Sequence, residues 1–209
     1  MPNWASTSVY IKCKSKGDRN RLMKQFNHVE ENCYKKTDFG PLWLGNLLIH
    51  LGYSEKDVLD QTEYMCRGSI DYLEEDEDDD RVIMLDEETA WEPMVKVIKR
   101  FCDEYISGYS MTYTAVEYGM CMFISNRRDT AGKYVFDVYE DETLNYLGLD
   151  EKTAYKYYSE AEVKSKIKKA LGYRETDHVS INTLINEAEN AFDDFNINKF
   201  EYVPVEDLS

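Results

Sequence analysis

The sequence contains no Cys-x-x-Cys pair, no glycine-rich phosphate loop and no apolar run of membrane-spanning length. Each absence removes a class of function. The five cysteines (Cys13, Cys33, Cys66, Cys102, Cys121) are odd in number and scattered. They read as reduced thiols of a cytoplasmic protein rather than a disulfide framework. There are three histidines, His28, His50 and His178. They stand apart from one another and from the cysteines, whereas a zinc site needs three or four convergent ligands. No metal and no cofactor is expected. Gly108, Gly119 and Gly132 are isolated and suit turns. The N-terminus has no apolar leader, so neither export nor membrane insertion is expected.

Positive charge is also scarce. Lys and Arg number 25 against 41 Asp and Glu, a net charge of −16. Residues 1–70 carry a net +2 and residues 71–209 a net −18. Such a surface repels phosphate, which makes direct nucleic-acid binding unlikely and points away from anionic membranes. It favours a basic protein surface as partner, or serves solubility alone. At 209 residues the chain buries roughly 70% of its unfolded surface without covalent staples.

What is present is organised around Glu87-Glu88-Thr89-Ala90-Trp91-Glu92-Pro93-Met94. The preceding run, Arg81 to Asp86, is apolar and partly β-branched, which predicts a strand buried on both faces. Pro93 suits a helix's first turn. Met94, Val97, Ile98, Phe101, Cys102 and Tyr105 then mark one apolar helical face. Trp91, at the joint, is expected to anchor the core between strand and helix.

Before this unit, Trp4 to Cys13 alternates as a half-buried strand. Gly17-Asp18 opens a helix with Leu22, Phe26, Val29 and Cys33 on its inner side. Gly40-Pro41 turns into a short helix from Leu42 to Leu51, stopped by Gly52, and Ser54 to Leu59 adds a helical turn. Gly68 to Leu73 is a strand. Glu74, Glu75, Asp76, Glu77, Asp78, Asp79 and Asp80 join it to the strand at Arg81, predicting a hairpin with a mobile tip. After the central helix come strands over 109–117, 120–125 and 133–139. The last third turns helical. Ser159 with Glu162 forms a capping box and Ser180 caps a second helix, with Leu184, Ala188, Ala191, Phe192 and Phe195 inward. Lys199 to Val205 alternates as a strand that Pro204 confines to an edge.

This order predicts an α+β fold, a ferredoxin-like split βαβ with an extended antiparallel sheet and a C-terminal helical subdomain. The expected domains are 1–140 and 141–209, the second helical with a terminal edge strand.

The opening Met1-Pro2-Asn3-Trp4-Ala5-Ser6 resembles the start of the YubB-type ferredoxin-like domain family. Trp43-Leu44-Gly45-Asn46 with Leu51-Gly52, Arg67-Gly68, and Thr89-Ala90-Trp91-Glu92-Pro93 are similar to its later motifs. So are Glu117-Tyr118-Gly119 and Gly132-Lys133-Tyr134. The resemblance covers residues 1–140. Ala5 stands where the family has cysteine, and the acidic run lies outside its pattern. The resemblance implies a fold and a plasmid, phage or conjugative-element context, without an established activity.

The residues carry several readings. The run Glu74 to Asp80 lacks the spaced oxygens and turn glycine of a Ca²⁺ loop. A solvated loop is the simplest reading, and a dock for a basic protein is the sharper one. A host nucleic-acid enzyme occluded by an anti-defence factor is the concrete form of that dock. No catalytic residue is assigned. Glu88 and Glu117 near Arg67 form the alternative, a carboxylate-based enzyme site on the sheet. A third reading is a nucleic-acid-binding sheet using some of the 17 tyrosines, since exposed rings stack bases. Tyr155, Tyr157 and Tyr158, beside Lys152 and Lys156, are read as packing the helical tail, or as a protein-binding patch.

Overall fold

A computed structural model of the chain describes residues 3–138, 141–150, 153, 156–193 and 195–208. Met1, Pro2, Tyr139, Lys152 and Tyr155, each used in the sequence reading, lie outside the described residues. The chain divides into two compact units, Met1–Arg127 with Val203–Ser209, and Arg128–Tyr202.

The first unit is built on β1 (Trp4–Lys12), β2 (Gly68–Glu75), β3 (Val82–Ala90), β4 (Ser110–Glu117) and β5 (Met122–Ser125). These strands lie side by side in the order β2-β3-β1-β4-β5. Every pairing among them is antiparallel. β1 and β2 therefore run parallel, with β3 between them. The crossover from β1 to β2 is made by α1 (Lys16–Asn32), α2 (Leu44–His50) and α3 (Glu55–Leu59). The crossover from β3 to β4 is made by α4 (Val95–Tyr105). The result is an α+β unit.

Alternation decides which face is covered. On β1, Ala5, Thr7, Val9 and Ile11 are buried. On β3 the buried side chains are Ile83, Leu85, Glu87 and Thr89, while Val82, Met84, Asp86 and Glu88 stay partly exposed. The expectation that β3 is buried on both faces is thus corrected: the helices cover one face only. Leu22, Phe26 and Val29 of α1 and Val97, Ile98, Phe101 and Cys102 of α4 fill that side. The Phe26 and Phe101 rings meet at 4.7 Å, a spacing at which aromatic pairs add to simple burial.

Local signals place the helix ends. Ser15, rather than Gly17-Asp18, caps α1 by accepting from the Asp18 amide. Ser54 caps α3 in the same way. Pro93 precedes the N-cap of α4, Met94, so the helix begins just after it.

The second unit pairs β6 (Tyr134–Val138) antiparallel with β7 (Phe195–Lys199). The expected strand at 133–139 does form, but its partner comes from the C-terminal third. Phe195, read as helical, is instead a buried strand residue. Among the described residues the unit also has three helices: α5 (Asp141–Leu147), α6 (Glu160–Ala170) and α7 (Ile181–Ala191). The capping box of Ser159 and Glu162 is present at α6. Leu184 and Ala188 of α7 are buried, whereas Ala191 is exposed and Phe192 only half-buried. Helix α5 was not anticipated, although its Leu144 and Leu147 are buried. Tyr158 forms an isolated bridge with Tyr134 and packs its ring on Phe136 at 5.1 Å. Tyr157 is largely exposed. The expected strand 199–205 breaks up: β8 is only Glu201–Tyr202, and Val205 begins a 3-10 turn.

No helix among the described residues is long and apolar enough to cross a membrane.

Candidate functional site

β1 and β2 begin, and β3 ends, at the same end of the sheet. The residue after β3 is Trp91, expected in the core. It is instead 42% exposed, with φ at +70°. A bulky residue rarely adopts that left-handed backbone, and does so only where its surroundings impose it. Five contacts do so here. The Trp91 amide donates to the Asn3 carbonyl and the Ala90 amide to the Arg67 carbonyl, at 2.8 and 2.9 Å. The Thr89 hydroxyl donates to the Glu92 carbonyl at 2.7 Å. The Met94 amide donates to Glu87 Oε1 at 2.9 Å, and the Arg67 amide approaches Met94 Sδ at 3.1 Å. The turn is pinned from both sides, and its indole is turned outward.

The ring lines a groove of about 650 Å³ together with Trp4, Phe39, Trp43, Leu59 and Ala90. The chain has three tryptophans, and all of them meet here. Trp4 is 45% exposed and Leu59 54%. Trp4 meets Phe39 edge-on at 6.1 Å. Three polar side chains share the lining: Asp38, Gln61 and Arg67. The Arg67 guanidinium lies over the Trp91 ring, 4.8 Å from its centroid, within cation–π range. Gln61 also has a left-handed backbone, with φ at +50°. Cys66 lines the floor. Burial pushes its thiol up to about 11, so it is an inert neutral group at ordinary pH.

The stretch Trp43-Leu44-Gly45-Asn46 builds the groove wall. Trp43 is buried and its Nε1 donates to the Cys66 carbonyl at 2.6 Å. Gly45 lies against the Trp43 indole, where an added Cβ would overlap the ring. Gly45→Ala is therefore expected to cost about 1–3 kcal/mol through overpacking, read as a lowered urea midpoint. Asn46 is fully buried. Its Oδ1 accepts from the Lys35 amide at 2.8 Å, and its Nδ2 donates to the carbonyls of Lys35 and Pro41 at 3.1 and 3.0 Å. This one side chain closes the loop that carries Asp38 and Phe39.

Just behind the groove, Glu87 is fully buried. It faces Thr7 on β1 and Ile70 on β2. Burial raises its carboxyl to about 8, against the lowering effects of the Met94 amide and the Thr7 hydroxyl. At neutral pH it is mainly a neutral acid. Glu87 Oε2 and the Thr7 hydroxyl face each other across the ladder, close enough to interact but outside good hydrogen-bond geometry, and neither has another partner among the described residues. The proton retained on Glu87 lowers the cost of that arrangement, because a neutral carboxyl is far cheaper to bury than a carboxylate.

The acidic run is not a free tip. Glu74 and Glu75 belong to β2. Asp76 Oδ1 accepts from the amides of Asp78 and Asp79 at 2.8 Å. Asp79 binds Arg81 Nε at 3.0 Å and Lys12 at 2.9 Å. These two cations hold its carboxyl well below the usual range. Asp80 pairs with Lys16 at 3.3 Å, and Glu75 pairs with Arg19. Positive charge from β1 and α1 therefore neutralises part of the run and holds the hairpin.

Glu88 and Glu117 do not converge. Ser6 is opposite both Glu88 and Val116, so Glu117, the next residue on β4, points to the other face. Glu117 is buried and accepts from the amides of Gly119 and Met120, which makes it a turn cap. Arg67 is engaged with Trp91. The alternative site is therefore not assembled by these residues.

His28 and His50, separated in sequence, do meet, with ring centroids 5.2 Å apart. Tyr34 Oη and Gln25 Oε1 lie 2.8 and 3.2 Å from the two His50 nitrogens. Burial, then His28, lowers the His50 pKa. Among the described residues no group of three or more His, Cys, Asp or Glu side chains is placed to hold a metal.

Groove geometry explains why scattered sequence stretches belong together. Residues at 4, 43, 67 and 90–91 converge on one surface. Comparison with family models, with curated proteins and with solved structures finds no match for this chain.

Proposed function

We propose that the chain is a non-enzymatic interaction protein that binds a basic protein partner through the tryptophan groove. The observation that carries this is the convergence of all three tryptophans on one groove, with Trp91 held outward on a strained backbone. Exposed tryptophans in a preformed hollow are the side chains most often responsible for protein-binding energy. The net charge of −16 selects partners of opposite sign and speeds their encounter.

The strand order β2-β3-β1-β4 supports a ferredoxin-like split βαβ reading of the first unit. Four of the YubB-type stretches, at Trp4, Trp43, Arg67 and Ala90-Trp91, meet at the groove, which supports membership of that family and its mobile-element context. A cytoplasmic anti-defence factor occluding a host nucleic-acid enzyme is the concrete form of this proposal. Such an enzyme offers the basic surface that an acidic chain would meet.

The test is capture from host extract by the intact protein, with nuclease treatment, beside two variants. Trp91→Gly keeps the left-handed backbone without strain and removes the anchor. It is expected to reduce capture by roughly tenfold or more. Glu74, Glu77 and Asp78 make none of the ion pairs described above, so their replacement by Ser leaves the hairpin closed. That variant should bind more weakly and lose much of the salt dependence. Capture unchanged in both variants would overturn the proposal. Binding of a labelled oligonucleotide in place of protein would return weight to the nucleic-acid reading.

A further inference from the structure

The tryptophan groove does not end at Phe39. That residue also lines a second hollow, of about 520 Å³, bounded by Ile70, Asp71, Tyr72 and Leu73 of β2 and by Asn27 and Glu30 of α1. Asn27 in turn lines a third, of about 410 Å³, which runs past Glu31 to Glu75. Shared lining residues, Phe39 and Asn27, make the three hollows successive neighbours, and the second and third reach the edge strand β2 at residues 70–73 and at Glu75.

That edge is open. β2 is the end strand of its sheet. Its first residues are covered: Ser69 bridges Trp43, and the Ile70 amide donates to the Leu42 carbonyl. Beyond Ile70, no strand lies on its outer side among the described residues. A bulge between Ile70 and Tyr72 marks where the cover stops. From Asp71 to Glu75 the edge offers alternate N–H and C=O groups over roughly 17 Å, at about 3.3 Å per residue. An open edge of this kind is a template for an added strand.

Charge states what kind of strand. Glu30, Asp71, Glu31 and Glu75 line the two lower hollows, against Lys24 as their one Lys or Arg side chain. Asp71 accepts from the Ser69 hydroxyl and Glu75 pairs with Arg19, which leaves Glu30 and Glu31 to face an incoming cation.

We infer that the partner binds by adding an extended, lysine- or arginine-rich peptide segment to the outer edge of β2. An aromatic or aliphatic residue at one end of that segment enters the tryptophan groove beyond Phe39. This deepens the protein-binding reading and rests on it. Backbone hydrogen bonds hold the segment, the acids of α1 and β2 choose its charge, and the groove fixes its register.

The probe is a short fluorescein-labelled peptide alternating lysine and valine behind a terminal tryptophan. A second peptide has the same sequence with every other amide N-methylated, and a third has glutamate in place of lysine. N-methylation keeps charge and side chains but removes the donors that an added strand needs. Anisotropy titration of the intact protein should show the first peptide binding at least roughly tenfold more tightly than the second. The glutamate peptide should not bind. Bound peptide should also slow amide exchange at Leu73 and Glu75, whose N–H groups face away from β3 in this register. Equal affinity for the first two peptides would overturn strand addition and leave the protein-binding reading standing. Binding of the glutamate peptide would overturn the charge selection. Failure of all three peptides, with partner capture still dependent on Trp91, would overturn this inference alone. Capture indifferent to Trp91 would overturn the reading beneath it.

Discussion

Glu87→Gln should abolish most of the protein's loss of stability between about pH 5 and pH 8. Below pH about 4 the Glu87 carboxyl is protonated in the folded and unfolded chain alike. As pH rises past its ordinary value of 4.5, the unfolded chain releases the proton while the folded chain keeps it, up to about 8. Folding then takes up a proton, so stability falls with rising pH across that window and levels off above it. A shift of this size corresponds to about 3–5 kcal/mol at pH 9. Gln keeps the shape and the acceptor for the Met94 amide but cannot ionise. Urea unfolding at pH 5 and pH 9 would show a large difference in the native chain and a small one in the variant. His50 works the other way. Its lowered pKa means that the folded state prefers neutral imidazole, so its contribution rises as pH climbs through the ordinary histidine value of 6.5. Both chains share the His50 contribution, so the difference between native and Gln chains isolates Glu87. A parallel pH slope in the native and Gln chains would sink the assignment of that slope to this group.

Asn46→Ala should have the second largest effect, a loss of about 2–4 kcal/mol. The side chain makes three buried hydrogen bonds to backbone. Each is worth roughly 1 kcal/mol net, and orphaning its partners adds to the loss. The consequence reaches the groove, because those partners, Lys35 and Pro41, bracket Asp38 and Phe39. Amide exchange in residues 35–41 should accelerate in the variant well beyond the global change in stability. If exchange there follows global unfolding in both proteins, Asn46 is merely a core residue and does not position the loop.

Much of the fold is legible in the sequence where the signal is local. Alternation from Trp4 to Lys12, the apolar face of α4 and the Ser159–Glu162 capping box each depend on residues a few places apart, and each forms. β3 misled for a physical reason. Its apolar residues Val82 and Met84 sit on the less covered face, so a hydrophobic run looked like a doubly buried strand. Phe195 misled because a helix and a following strand can share one apolar spacing. β6 and β7 pair across some sixty residues of chain, and no local pattern carries that choice.

The groove was legible only in pieces. Trp4, Trp43, Arg67 and Trp91 each stood in a stretch that drew attention, but composition makes tryptophan a core residue by default. A left-handed φ at Trp91 reversed its expected side, and five surrounding contacts impose that φ. The acidic run was visible at once, yet its cations, Lys12, Lys16 and Arg19, come from β1 and α1. Opposite faces for Glu88 and Glu117 follow from strand register, which sequence spacing does not contain.

By itself, the sequence determined most elements of the first unit, the inward sides of α1 and α4, and the sign of the surface, because periodicity, capping and charge act within a few residues. Tertiary structure alone decided that three tryptophans share one groove, that Glu87 keeps its proton, and that the outer edge of β2 stays open. Those outcomes depend on which distant segments become neighbours, and burial and pairing assign their energies only after the chain has folded.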